Sequence, residues 1–188
     1  MRLDHIAYRV KDREETARFL HGLLGYRYAD VFKIELCNGE VANCIAMTPP
    51  EKVSPHVPLA TLDLEVYDEV DNKSYIDYHM APEIFVSDGS ESRLLADWVR
   101  SKNGIGGIHH VAYEVADVGA TMEDWQAKGF EFTTDKPIAC PDDDLIQCFT
   151  KPIAELGGQI IEFIKRGDKG FCKDNVAALM ESTRDKDN

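Results

Sequence analysis

Long apolar runs are missing. No stretch of the 188 residues approaches the roughly 18 or more apolar residues that a membrane span requires, and the start Met1-Arg2-Leu3-Asp4-His5 has no apolar signal core. No membrane partner is expected, and the chain reads as cytoplasmic. Positive charge is also scarce: 21 Lys and Arg against 34 Asp and Glu give a formal net charge of −13. Such a balance repels nucleic acid and anionic lipid surfaces, so no nucleic-acid partner is expected either. The five cysteines, Cys37, Cys44, Cys140, Cys148 and Cys172, lack C-x-x-C spacing, which excludes a zinc ribbon or a redox motif of that kind. They are expected to be free thiols, mostly buried.

What is present is enough chain to bury a core without metal or disulfide staples, and an internal repeat. Leu3-Asp4-His5-Ile6-Ala7-Tyr8-Arg9-Val10-Lys11-Asp12 lines up, 105 residues later, with Ile108-His109-His110-Val111-Ala112-Tyr113-Glu114-Val115-Ala116-Asp117. Each copy continues with a helical stretch, about 12–24 and 118–128, and then a glycine with alternating aromatics: Gly25-Tyr26-Arg27-Tyr28 answers Gly129-Phe130-Glu131-Phe132. An Asp precedes each helix as an N-cap, with Glu15 placed as in a capping box. Gly25 and Gly129 suit a positive-φ helix stop.

Further strands are expected at 31–36, 42–47 and 83–86 in the first copy, and at 145–150 and 159–164 in the second. Each copy thus reads β-α-β-β-β. The expected fold is α+β, with two tandem βαβββ modules packed side by side and a C-terminal helix. Residues 1–104 hold the first module, an insertion over about 49–80 with an alternating stretch around Leu62, Leu64 and Val66, and a linker. Residues 105–166 hold the second module, and 167–188 the last helix and tail. Leu94, Leu95 and Trp98 sit at helical spacing in the linker, and Asp174 is the expected cap of the last helix.

The repeat puts His5 and His110 at matching strand positions, so side-by-side packing makes the two imidazoles converge. His109 is the alternative within its pair, but the repeat register favours His110. Glu162 lies in Ile160-Ile161-Glu162-Phe163-Ile164, where a carboxylate is costly to desolvate unless it meets a cation. Two His and one carboxylate form the facial pattern of non-haem iron(II) oxygenases. His21, His56 and His79 have no repeat partner and are expected on loops or the surface.

The duplicated unit with paired strand histidines and a late strand Glu resembles the vicinal oxygen chelate superfamily of glyoxalases, epimerases, bleomycin-resistance proteins and dioxygenases. Two stretches are similar to the catalytic C-terminal half of the 4-hydroxyphenylpyruvate dioxygenase family. Leu145-Ile146-Gln147-Cys148-Phe149-Thr150-Lys151-Pro152 is similar to its "LLQIFTKP" strand. The run from Glu162 to Arg166, with Gly170-Phe171-Cys172-Lys173-Asp174-Asn175 and the helix after it, is similar to its "FEIIQR…GFGxGNFxALFES" ending. The resemblance implies Fe(2+) on His5, His110 and Glu162, with Co, Mn or Zn as other divalent occupants. It also implies a catalytic Gln147 that orients substrate, Phe149 and Phe171 sandwiching a substrate ring, and a lid formed by the last helix with Asn175 near its hinge. Read without it, Phe149 and Phe171 are equally core residues and Gln147 an outward strand residue.

Two departures bear on substrate. His109 stands where that family has Gln, and Phe85-Val86-Ser87-Asp88-Gly89 where it has "PLNEP". The activity implied is a dioxygenase taking a small 2-oxo acid and O2, with His109, Phe149, Phe171 and Asn175 contacting substrate and a homodimer left open. The rivals are a metal-dependent epimerase, isomerase or glyoxalase-type lyase, and a non-enzymatic ligand-sequestering module. The first rival would add a fourth ligand from the last strand of the first module, for which Glu83 is the nearby candidate and Phe85 the equal alternative in register.

Overall fold

A computed structural model describes residues 1–49 and 82–184. The alternating stretch around Leu62, His56, His79 and the acidic tail lie outside the described residues. The first module comprises β1 (Arg2–Val10), α1 (Arg13–Leu24), β2 (Arg27–Glu35), β3 (Val41–Thr48) and β4 (Glu83–Glu91). After α2 (Arg93–Ser101), the second comprises β5 (Gly106–Glu114), α3 (Val118–Ala127), β6 (Ile138–Ala139), β7 (Ile146–Phe149) and β8 (Ile160–Lys165), and α4 (Lys173–Ser182) closes the described chain. Both modules are therefore β-α-β-β-β, as the repeat implies.

The strands form one mixed sheet in the order β2-β3-β4-β1-β5-β8-β7-β6. Each module pairs its first strand in parallel with its last, β1 with β4 and β5 with β8, and the modules join where β1 runs antiparallel to β5. That order is mirrored about the β1/β5 seam, which places the two repeated histidine strands side by side.

Local chemistry sets the helix ends. The Asp12 carboxylate accepts the Glu15 amide at 2.9 Å and α1 stops at Gly25 with φ 75°. The Asp117 carboxylate accepts the Ala120 amide at 2.9 Å. The linker holds a true helix, α2: Ser92 caps it through the Leu95 amide, and it buries Leu94, Leu95, Trp98 and Val99.

One sheet face packs Val10, Ile45 and Val86 against Ala17 and Leu20 of α1, and Cys148, Ile161 and Phe163 against Val118 and Met122 of α3. The opposite, inner face packs Ala7, Ile34, Cys44 and Phe85 against Leu94 and Leu95 of α2 and Val176 and Met180 of α4. Among the described residues no helix is long and apolar enough to cross a membrane.

Two expectations are corrected. Cys172, not Asp174, is the N-cap of α4, and it makes no side-chain cap bond; Asp174 lies in the first turn, where its charge still suits the helix dipole. Cys140 and Cys172 are joined in a disulfide with Cα atoms 6.1 Å apart, leaving Cys37 exposed and Cys44 and Cys148 buried as free thiols. The pairing joins residues 32 apart, because the start of α4 docks beside the β6/β7 hairpin. No local sequence spacing encodes that approach.

Candidate metal centre

Strand alternation carries His5, Ala7 and Arg9 of β1 onto the inner face, along with His110 of β5, Glu162 of β8 and Gln147 and Phe149 of β7, and all of them line one cavity. The β1/β5 ladder is irregular at two points. Asp4 and His5 stand opposite one residue, Ala112, and His109 is the extra residue between the pairs Ala7↔His110 and Tyr8↔Ile108. Such bulges re-aim side chains. Here they let Asp4 reach His5 and put His109 beside His110, both buried, although neighbours on a regular strand point to opposite faces.

His5 Nε2 lies 3.3 Å and His110 Nε2 3.0 Å from Glu162 Oε2, and the two Nε2 atoms are 3.4 Å apart. Three donors about 2.1 Å from one divalent ion lie about 3.0 Å apart at right angles and about 3.4 Å apart at tetrahedral angles. The observed spacings span that interval, so the donor set fits one divalent metal.

Supporting contacts fix each donor. Asp4 Oδ1 is 2.6 Å from His5 Nδ1, which presents Nε2 to the centre, and Arg166 holds Asp4 through Nε at 2.8 Å and Nη2 at 2.5 Å. His109 Nδ1 lies 2.9 Å from His110 Nδ1. Gln147 Nε2 donates to Glu162 Oε1 at 2.6 Å, leaving Oε2 to face both imidazoles. Gln147 Oε1 is buried with no partner among the described residues. An orphaned acceptor on the cavity wall is what a bound water or substrate would satisfy.

The electrostatics couple the three groups to one another. Burial alone would raise the Glu162 carboxyl, but the His5 charge and hydrogen bonds from both imidazoles hold it far below the usual carboxylate range. Burial opposes charge on His5, yet Glu162 and Asp4 together push its pKa up to about 9. Burial lowers that of His110 despite its bond to Glu162. Without metal, His5 therefore keeps a proton at neutral pH, and a metal must displace it. The apparent Kd for Mn(II) is expected to fall roughly tenfold per unit of rising pH from about 6 to about 8.5, with one proton released. Titration calorimetry in buffers of different ionisation enthalpy reads both, and a pH-independent Kd contradicts this account.

Phe149 packs on His110 with ring centroids 4.6 Å apart, and Phe171 meets His5 at 5.2 Å. His109 meets Phe149 at 6.1 Å and Trp98 at 5.4 Å. Val176, Leu179 and Met180 of α4 cover the inner side, leaving a cavity of about 30 Å³. Asn175 is not on its wall: its amide donates to the Ile138 and Leu145 carbonyls and so ties α4 to the β6/β7 hairpin.

Glu83 does not join the donors. Its carboxylate accepts from Arg166 at 2.8 Å and is partly exposed. Register explains this. Glu83 pairs with His5 as Ile160 pairs with His110, so Phe85, opposite Ala7, is the counterpart of Glu162, opposite Ala112. Arg9 and the Asp4–Arg166 pair went unmarked in the sequence. Alternation from His5 would have flagged Arg9 as an inward charge, whereas nothing local links Asp4 to a residue 162 positions away.

The chain belongs to the Glyoxalase/Bleomycin resistance protein/Dioxygenase superfamily, whose pattern matches residues 4–149. No protein of curated function matches it by sequence. Among solved structures it is similar to a 4-hydroxymandelate synthase variant from Streptomyces coelicolor, with TM-score 0.71 and 17% identity over 97% of this chain and 53% of that one. It is also similar to a methylmalonyl-CoA epimerase, with TM-score 0.60 and 20% identity over 89% and 97% of the two chains. A Streptomyces coelicolor methylmalonyl-CoA epimerase in complex with 2-nitronate-propionyl-CoA gives TM-score 0.57 and 20% identity over 88% and 94%. At these identities the likeness is one of fold, and it spans both epimerase and synthase chemistries.

Proposed function

We propose that the chain is a non-haem iron(II) dioxygenase acting on a 2-oxo acid and O2, with His5, His110 and Glu162 as the metal ligands. The observation that carries this reading is the donor count. Phe85 occupies the symmetry-related position from which a fourth ligand would come, and Glu83 is held by Arg166. Three protein ligands among the described residues leave room for a chelating substrate and O2.

Bound iron(II) would supply the redox chemistry with O2 and a seat for the oxo-acid group. The chain supplies the rest. Gln147 fixes the orientation of Glu162 and offers its free Oε1 to substrate or water. Phe149 and Phe171 flank the space beside the histidines. Helix α4 closes the inner side with Val176, Leu179 and Met180, so the reacting groups are shielded from water. At about 30 Å³ the cavity holds little more than water as it stands, so in this reading substrate enters as the α4 side chains that line it move outward.

The rival epimerase or isomerase reading uses Co, Mn or Zn to polarise a carbonyl, and the structural likeness to epimerases keeps it in view. Anaerobic loading with Fe(II), followed by aryl or alkyl pyruvates and O2, is expected to consume O2 and release CO2 in equal amounts. No consumption with any of them sinks the proposal. Metal-dependent exchange of a substrate α-proton without O2 uptake would establish the rival.

A further inference from the structure

A larger space adjoins the small metal cavity. It measures about 240 Å³ against about 30 Å³, and among the described residues Ala29 and Phe32 of β2, Ala46 of β3 and Arg166 lie on its wall. Phe171 lines both cavities. Its ring meets His5 at 5.2 Å on the metal side, and Phe171 and Phe32 both pack on Phe85, at 5.3 and 5.8 Å between ring centres. One layer of aromatic rings therefore separates the metal ligands from the larger space. The Phe171 ring is half-buried and is held by packing on His5, Phe85 and the Arg166 guanidinium, 4.6 Å from its centre. Such a ring can move between side-chain rotamers without leaving a buried polar group unpaired. Beyond it the wall is apolar at Ala29, Phe32 and Ala46, and Arg166 is already answered by Asp4 and Glu83.

We propose that the two cavities form one bipartite substrate site with Phe171 as its partition, and that the substrate is a 2-oxo acid with a long apolar side chain. This rests on the reading of the three-residue centre as a metal site chelated by the oxo-acid group. The acid end seats at the metal, the Phe171 ring swings aside, and the side chain lies in the larger space against Phe32 and Ala46. A short side chain stops at the ring. Length is then read as apolar surface buried beyond the partition, which is what the larger space offers and the metal cavity lacks.

The test reads binding without turnover. The chain is loaded with Zn(II), which supports no oxygen chemistry, and titrated with straight-chain 2-oxo acids from 2-oxobutanoate to 2-oxooctanoate. Affinity is expected to rise about fourfold for each added methylene that is buried. Ala29→Trp and Ala46→Met, which fill the larger cavity, are expected to flatten that rise and leave 2-oxobutanoate binding as it was, with circular dichroism confirming the fold. In the unsubstituted chain the Ala46 methyl resonance should move with 2-oxooctanoate and not with 2-oxobutanoate, which reads the same site if a variant does not fold. Equal affinity along the series overturns the proposal, as do folded variants that keep the rise, or an Ala46 methyl that ignores the long acid or answers both alike. Binding of no 2-oxo acid of any length sinks the reading of the metal centre instead, and the bipartite site falls with it.

Discussion

Glu162→Gln is expected to lose divalent-metal binding and, with it, all metal-dependent turnover. The substitution keeps volume and removes charge at a residue 1% exposed. Glu162 Oε2 faces both imidazoles, so one change takes away the anionic donor and the group that orients the other two. Substituting an outer partner of a metal ligand typically weakens metal affinity by about 10–100-fold. Asp4→Asn, which reaches the donors through His5 and also weakens the Arg166 pair, is the internal standard for that scale, and Glu162→Gln should exceed it. A direct readout is thermal. Metal at about 100 times its Kd stabilises the binding-competent fold by about 2.7 kcal/mol, or roughly 5–10 °C for a chain of this size. Mn(II) should give the unsubstituted chain that gain, Asp4→Asn a smaller one and Glu162→Gln none. An equal gain in Glu162→Gln would remove the carboxylate from the site.

The parts of this centre differ in how openly the sequence states them. His5 and His110 are legible because duplication puts each at the same register of a repeated strand, and the mirrored sheet order follows from pairing those strands. Glu162 is legible from cost, being a carboxylate in an apolar strand. His109 is only half legible. Alternation predicts that it points away from His110, and the bulge that turns it inward depends on how β1 and β5 fit together. The Asp4–Arg166–Glu83 chain links three strands or their ends across the sheet and has no local signature. The choice between Glu83 and Phe85 turned on a shift of two residues, which strand patterning cannot fix and pairing with His5 decides. Helix α2 reads as a connection with helical spacing because only its buried face, Leu94, Leu95 and Trp98, carries the signal.

Reduction of the Cys140–Cys172 disulfide is expected to cost the fold about 3–4 kcal/mol, the loop-closure value for residues 32 apart. For a chain of this length that is a drop of roughly 6–16 °C in melting temperature. The bridge joins Cys172, the N-cap of α4, to the strand-edge segment that the Asn175 amide also holds. Two substitutions separate the cross-link from the cap. Cys140→Ser removes the bridge and leaves the helix start untouched, so it should show the full loss. Cys172→Ser removes the same bridge but puts a hydroxyl at a cap that now makes no side-chain bond. A serine cap is worth about 1 kcal/mol, so this variant should melt a few degrees above Cys140→Ser. The loosened element is the one that covers the cavity, so hydrogen exchange in α4 should rise in both variants while exchange in β1 and β5 stays slow. Identical melting with and without dithiothreitol, or exchange that rises uniformly across the sheet, would show that the bridge does not restrain α4.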